Sequence, residues 1–223
     1  MRIFLSRLHF PVTTLGLGRR IGIWFQGCTI RCPGCVSADT WAHGQSETTI
    51  AEIMTTLAPW LTEADGITLS GGEPFEQLPA LEALLASLRK ELSPHQDILL
   101  YTGKTWKSIA PRVDAWPGWA DIIISEPFVK NAPQTLVWRG SDNQLMHLLT
   151  DLGKYLYTPW ISTPRSVMPK AMDVFLENDT LWMAGIPDPG SIDAIHRALT
   201  DAGFNSSTSQ APPRPPAAHL FLP

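Results

Sequence analysis

Every cysteine of the chain lies in one stretch of eight residues, Cys28-Thr-Ile-Arg-Cys32-Pro-Gly-Cys35. Three thiols at spacings of four and three, on a turn carrying Pro33-Gly34, can converge on one small object. A thiolate is a soft ligand suited to iron–sulfur clusters, zinc or copper(I). A cubane cluster has four irons and normally takes four protein ligands, so three thiols would leave one iron open. A structural zinc site is usually closed by four ligands, and no further CxxC pair or HxxxH stands nearby to complete one. His43 could be recruited, but its position in the sequence does not force it there. Free cysteine is often an ordinary core residue. Three scattered core thiols would not be expected to fall within one octet, and the iron–sulfur reading is the one the spacing favours.

Further along, Ser70-Gly71-Gly72-Glu73-Pro74 stands where a strand is expected to meet a helix. Glycines let a backbone approach a ligand closely, exposed amides and carbonyls can bind charged ends of a small molecule, and Glu73 could face an ammonium group. By itself the segment also reads as a tight turn with a good helix start. Tyr101-Thr102-Gly103 ends the next expected strand. Ser125-Glu126-Pro127-Phe128-Val129 and Trp138-Arg139-Gly140-Ser141-Asp142-Asn143-Gln144 follow. Arg139 can grip a carboxylate with two parallel bonds, from a ligand or as a tie between loop and body, and Asn143 and Gln144 can both donate and accept.

The elements that must position these residues can be read from periodicity. Residues 2–10 alternate loosely, as an opening strand. Ile21, Ile23 and Phe25 alternate with Gly22 and Trp24, and the cysteine loop follows directly after Gly27. Residues 36–46 read as polar loop. Thr48 or Thr49 can cap a helix carrying Ile50, Ile53, Met54, Leu57 and Leu61 on one face. Ile67-Thr68-Leu69 is a short strand, and Phe75, Leu78, Leu81, Leu84, Leu85, Leu88 and Leu92 recur at helical spacing. A strand at 98–101, a helix-like stretch at 105–116 that contains Pro111, and a strand at 121–125 complete the alternation. This pattern predicts an α/β fold with a parallel sheet and right-handed crossovers, the cysteine loop at the carboxyl end of a strand. Past residue 150 the pattern changes to a hairpin around Asn178-Asp179 and a helix from a Ser191 cap through Ala202. The expected organisation is a core over 1–150, an α+β extension over 151–204, and a Pro/Ser/Ala-rich tail over 205–223, extended or disordered.

Composition narrows the function further. A net charge of −4 and a sequence pI near 5.8 leave no basic nucleic-acid footprint. No apolar run approaches the roughly 20 residues that span a bilayer. The amino-terminal apolar stretch is too short and too broken by charge for a signal peptide. An odd cysteine count in one cluster argues against a secreted disulfide framework. The expectation is a cytoplasmic protein that contacts neither nucleic acid nor membrane.

The CxxxCxxC octet resembles the cluster loop of the radical S-adenosylmethionine superfamily. The wider string Gln26-Gly27-Cys28 to Cys35, followed by Thr40-Trp41, is similar to the activating proteins of anaerobic ribonucleotide reductase, which are glycyl-radical activases. The Gly71-Gly72-Glu73, Tyr101-Thr102-Gly103 and WRGSxNQ segments resemble motifs of the same branch. Val36 stands where an aromatic residue is common in that family, and Glu126 where aspartate is common. The resemblance covers roughly residues 18–150.

The resemblance implies a partial (β/α) barrel, open on one side, with a [4Fe-4S] cluster on Cys28, Cys32 and Cys35. It implies S-adenosylmethionine at the open iron, held by Ser70, Gly71, Gly72 and Glu73, with Gly34 and Val36 on the adenine side. Tyr101, Thr102 and Ser125 would line the same rim. Arg139 and Asn143 would serve either the S-adenosylmethionine pocket or the side that meets the partner. No catalytic side chain is implied beyond the cluster and the adenosyl radical. The implied activity is reductive cleavage of S-adenosylmethionine, with a glycyl radical made on a partner such as an anaerobic ribonucleotide reductase and electrons from flavodoxin or ferredoxin. A radical enzyme that modifies a peptide or small molecule, and a non-catalytic metal-binding interaction module, are the alternatives. The isolated histidines His9, His95, His147, His196 and His219 are read as surface or satisfied core.

Overall fold

Ile21, Ile23 and Phe25 put their side chains on one face of a strand and Trp24 on the other, and the whole architecture follows from that alternation. The computed structural model describes residues 1–116, 118–168, 171–177 and 180–204. The tail at 205–223 and Asn178-Asp179, where the hairpin was expected to reverse, lie outside the described residues. Strands β1 (Arg2–Val12), β2 (Arg20–Phe25), β3 (Glu47–Thr49), β4 (Gly66–Gly71), β5 (Asp97–Tyr101), β6 (Ile122–Ser125) and β7 (Leu145–Leu148) form one open sheet in the order β3-β1-β2-β4-β5-β6-β7. The four strands β2, β4, β5 and β6 are parallel, as the alternation predicts. The margins differ from that expectation, because β1 runs antiparallel to both β2 and β3, and β7 antiparallel to β6. The sheet does not close into a barrel: it ends on β3 at one side and β7 at the other.

Helices α1 (Ile50–Leu61), α2 (Leu78–Glu91) and α3 (Trp106–Val113) make the crossovers. Thr49 caps α1, accepting from the Glu52 amide while the Glu52 carboxylate accepts from the Thr49 amide at 2.9 Å. This reciprocal box satisfies two donors that a helix start otherwise leaves unpaired. The apolar stripes of the three helices cover one face of the sheet: Ile53, Leu57, Leu81, Leu84, Leu85, Leu88 and Ile109 share one core with Ile21, Ile23, Phe25, Ile67, Leu69, Ile98, Leu100 and Ile123. The opposite face holds Leu99, Ile122 and Ile124, packed with Val137, Trp138 and Tyr157.

The remaining elements lie past residue 150. Helix α4 (Asp151–Tyr157) carries Tyr157 into the core, and its cap Thr150 also donates to Asp121. Strands β8 (Met172–Glu177) and β9 (Thr180–Gly185) pair as the expected hairpin. Trp182 and Ala184 pack with Val12, Leu15 and Trp24. The last helix among the described residues, α5 (Ser191–Asp201), starts one residue earlier in role than predicted. Its cap position is Gly190, in the left-handed region at φ 83°, and Ser191 is the first helical residue. Glycine reaches that conformation without the Cβ clash that serine would meet.

Candidate metal centre

The carboxyl ends of β2, β4, β5 and β6 deliver Phe25, Gly71, Tyr101 and Ser125 to one rim of the sheet. The cysteine loop leaves β2 at this rim and is sewn down on both sides. Gly27 and Cys28 donate their amides to the carbonyls of Thr40 and Trp41 at 2.7 and 3.2 Å, and the Gln26 side chain donates to the Ala42 carbonyl at 2.7 Å. The segment 36–46, expected as plain loop, therefore contains a 3-10 turn (Ala38–Trp41) that serves as the loop's floor. Within the loop, Arg31 and Gly34 take positive φ angles of 49° and 79°, and the Cys35 amide closes a turn on the Cys32 carbonyl at 3.1 Å.

All three cysteines are free thiols. Burial pushes each thiol above its ordinary value, so without a metal they are held protonated. Nearby N–H groups oppose that rise: the amides of Arg31 and Ile30 pull the Cys28 thiol back down, the Phe128 amide pulls on Cys32, and the Ser37 amide with the Trp41 side chain on Cys35. Such donors stabilise thiolates, and hydrogen bonds to sulfur are among the levers that set a cluster's potential. Among the described residues, no three His, Cys, Asp or Glu side chains are gathered as ligands of a single metal ion. A cubane makes no such demand, since each thiolate takes a different iron. Three soft donors on one loop, each with its own N–H partners, fit a thiolate-bound cluster.

The SGGEP segment begins where β4 ends, and its glycines have a cause that the sequence did not show. A Cβ on Gly72 would stand 2.2 Å from the Gly27 carbonyl oxygen, and one on Gly71, where φ is +96°, 2.6 Å from the Phe25 amide nitrogen. The segment is thereby pressed against the root of the cysteine loop, with the Gly72 amide on the Phe25 carbonyl and the Glu73 amide on the Gly27 carbonyl, both at 2.8 Å. Glu73 is fully buried. Its carboxylate accepts from the Thr102 hydroxyl at 2.7 Å and from the amides of Gly103 at 2.8 Å and Phe75 at 3.0 Å. Burial pushes its carboxyl up, against the pull of these donors and of the Lys104 charge. The structure thus brings Gly71, Gly72, Glu73 and Thr102 together with the cysteine loop. Glu73→Ala should leave the Thr102 and Gly103 donors unpaired and cost roughly 1–3 kcal/mol of stability. Thermal unfolding checks this, and an unchanged midpoint would remove Glu73 from the role of tie between β4 and β5.

Other predicted residues sit differently. Ser70 is half-buried beside Gly71 at the end of β4. Gly34 lies against Lys130, whose Cδ would be 3.0 Å from a Cβ there, and Val36 is 39% exposed. The Tyr101 hydroxyl donates to the Trp138 carbonyl at 3.0 Å. Ser125 is buried, with its hydroxyl 2.9 Å from His147 Nε2. Arg139 is buried and donates to the Ile161 carbonyl at 2.8 Å, so it acts as the tie between loop and body. Asn143 donates to the Pro127 carbonyl at 2.8 Å, and Gln144 to that of Glu126 at 3.1 Å. The WRGSDNQ segment therefore braces the strand-end loop that presents the Phe128 amide to Cys32. Sequence reasoning passed over Glu76 and Gln77. Gln77 donates to the carbonyls of Phe4 and Gln26, both at 2.9 Å, and its one visible signal was its place three residues after the SGGEP segment.

Comparison with known proteins agrees with this geometry. The model of the 4Fe-4S single cluster domain family matches residues 14–147, which include the loop, the rim and all of β7 but its last residue. The chain is 29% identical over 150 residues to the anaerobic ribonucleoside-triphosphate reductase-activating protein of Vibrio cholerae, covering 64% of this chain and 96% of that protein. It is 31% identical over 149 residues to the protein of the same name from Escherichia coli K12, covering 63% and 96%. A third match, 38% identical over 84 residues, is to the pyruvate formate-lyase-activating enzyme of Staphylococcus aureus and covers 35% of this chain and 34% of that enzyme. The chain belongs to the 4Fe-4S single cluster domain family and, within it, to the radical S-adenosylmethionine activases.

Proposed function

We propose that the protein is a glycyl-radical activase whose partner is an anaerobic ribonucleotide reductase. The observation that carries this reading is a loop holding Cys28, Cys32 and Cys35, pinned against the Gly72-Glu73 segment at the rim of a parallel sheet, in a chain that nearly spans the reductase-activating proteins it resembles. The three thiolates would hold a [4Fe-4S] cluster with one iron left to S-adenosylmethionine. When bound, the pair supplies a 5′-deoxyadenosyl radical that takes a hydrogen atom from a glycine Cα of the partner. The chain itself binds, orients and shields. Ser70, Gly71 and Gly72 present backbone to the amino-acid end of S-adenosylmethionine, and Glu73 holds the Thr102-Gly103 turn beside it. Gly34 and Val36 form the adenine side, and Tyr101, Ser125, Arg139 and Asn143 support the rim from behind. In this reading the four parallel strands and three helices are the partial barrel of the radical S-adenosylmethionine type, residues 151–204 are an extension, and a flavodoxin or ferredoxin is the electron donor.

The test is anaerobic reconstitution, reduction, and incubation with S-adenosylmethionine and a co-encoded anaerobic reductase, read by electron paramagnetic resonance. A cluster signal that shifts on adding S-adenosylmethionine, followed by a glycyl radical on the reductase, is the expected result. A cluster indifferent to S-adenosylmethionine would end the reading. A second reading has one observation in its favour: the β8–β9 hairpin packs Trp182 and Ala184 onto the face of the sheet that the helices leave open. That placement suits an enzyme acting on a peptide or small molecule. Cleavage of S-adenosylmethionine without any radical on the reductase would favour it.

A further inference from the structure

Glu76 lies one turn beyond Glu73, in the 3-10 turn Pro74–Gln77, and faces the cysteine loop. The Thr29 amide donates to both of its carboxylate oxygens at 3.1 Å, and the Thr29 hydroxyl donates to Oε1. Lys104 Nζ stands 3.6 Å from Oε1 and His43 Nε2 3.6 Å from Oε2, while the Glu76 side chain is only 14% exposed. Each of these partners adjoins the candidate site. Thr29 follows the first cysteine directly. Lys104 follows the Thr102-Gly103 turn that holds Glu73. His43 lies against Gly27, where a Cβ would come within 2.8 Å of its Nδ1. One carboxylate therefore gathers the cysteine loop, the end of β5 and the floor segment around the base of α2.

The charge matters as well as the tie. Burial works against ionisation of Glu76, yet the Thr29 hydroxyl and amide, with Lys104 and His43, hold its carboxyl below the usual range. It is an anion at neutral pH. Thr29, which it holds, directly follows Cys28, so an electron added to a cluster on that thiolate is repelled by the Glu76 charge.

We infer that Glu76 is a positioning residue for the iron–sulfur cluster, pinning Thr29 and with it the Cys28 ligand, and that its negative charge lowers the cluster's reduction potential. The inference rests on the reading that the three cysteines hold a cluster. Its test compares the reconstituted full-length protein with Glu76→Gln and Glu76→Ala, measuring the midpoint potential by paramagnetic resonance and the rate of iron loss to a chelator. Glu76→Gln keeps an acceptor for Thr29 but loses the charge. Its cluster should stay loaded and titrate at a more positive potential, with a reduced-to-oxidised ratio up to about tenfold higher at the wild-type midpoint, or about 59 mV for one electron. Glu76→Ala loses the tie too and should release iron several-fold faster. Thr29→Val, at an exposed position, covers the case in which Glu76→Ala does not fold: iron loss should quicken while the potential stays put. A Glu76→Gln midpoint that is unchanged or more negative overturns the inference, as does iron release at the wild-type rate from Glu76→Ala, or from Thr29→Val where it stands in. If the wild type itself takes up no cluster, the functional reading fails; if it does and the variants match it, only the role of Glu76 fails.

Discussion

Replacing Cys32 by alanine is expected to abolish glycyl-radical formation, a loss well beyond the roughly 10–100-fold that removing an outer partner of a metal ligand costs. With three protein thiols for four irons there is no ligand to spare. His43 is the nearest histidine in sequence, and it is engaged with Glu76. Serine should not rescue, because an alkoxide is a hard ligand and the cluster irons prefer soft thiolate. The fold should be indifferent. Cys32 is only half-buried in a surface loop whose root is held by the amides of Gly27 and Cys28 and by the Gln26 side chain. The expected set of results is therefore an unchanged thermal midpoint, iron and sulfide content near zero after reconstitution, and no radical signal on the partner. A Cys32→Ala protein that still carried a loaded cluster and still made the radical would mean that the octet is not the ligand set.

Much of this site could be read from residue types, and what could not has a common physical cause. Ile21, Ile23 and Phe25 announce a strand because each buried side chain repeats every second residue, and Ile50, Ile53, Met54, Leu57 and Leu61 announce a helix behind a threonine able to cap it. Both signals are local. The margins of the sheet are silent by contrast. β3 is three polar residues that become a strand only because Arg2, Ile3 and Phe4 offer them an edge. Gly71 and Gly72 were expected for the approach of a ligand, and the structure gives them a second reason, the approach of the cysteine loop's own backbone. Arg139 looks like a carboxylate grip in sequence and spends a donor on a carbonyl 22 positions away. Glu76 reads as a surface glutamate until the loop 47 positions earlier is folded onto it. Pairings across long separations are set by topology, which one sequence does not display.

The second large effect belongs to the other end of the sheet. Arg20, Gly66 and Asp97 are partners across three adjacent strands, and Gly66 is the reason that the outer two can meet. A Cβ on Gly66 would come within 2.7 Å of Arg20 Nη1 and 2.6 Å of Asp97 Oδ1, so the guanidinium passes through space that only glycine leaves. Fully buried, Arg20 then makes two bonds to Asp97 at 2.8 and 2.7 Å, one to the Thr68 hydroxyl at 2.7 Å and one to the Ile67 carbonyl at 2.7 Å. The Tyr157 hydroxyl completes Asp97 at 3.1 Å and ties α4 to the sheet. Arg20→Met would leave a buried carboxylate with its cation gone, which costs about 3–5 kcal/mol. At roughly 2–4 °C per kcal/mol for a chain of this size, the thermal midpoint should fall by roughly 6–20 °C. The pair itself has no such worth, because its two desolvation penalties offset most of its attraction. Arg20→Met combined with Asp97→Leu should recover most of the loss, so the two substitutions will not add. Scanning calorimetry of the two single variants and the double variant decides the matter, and a midpoint for Arg20→Met within about 2 °C of wild type would sink the argument. Because the pair lies at the amino ends of the parallel strands and the cysteine loop at their carboxyl ends, iron content per folded molecule should not change in any of the three. The buried ion pair and the cysteine loop thus sit at opposite ends of the parallel strands, and the pair can be broken while the chemistry at the other end is watched.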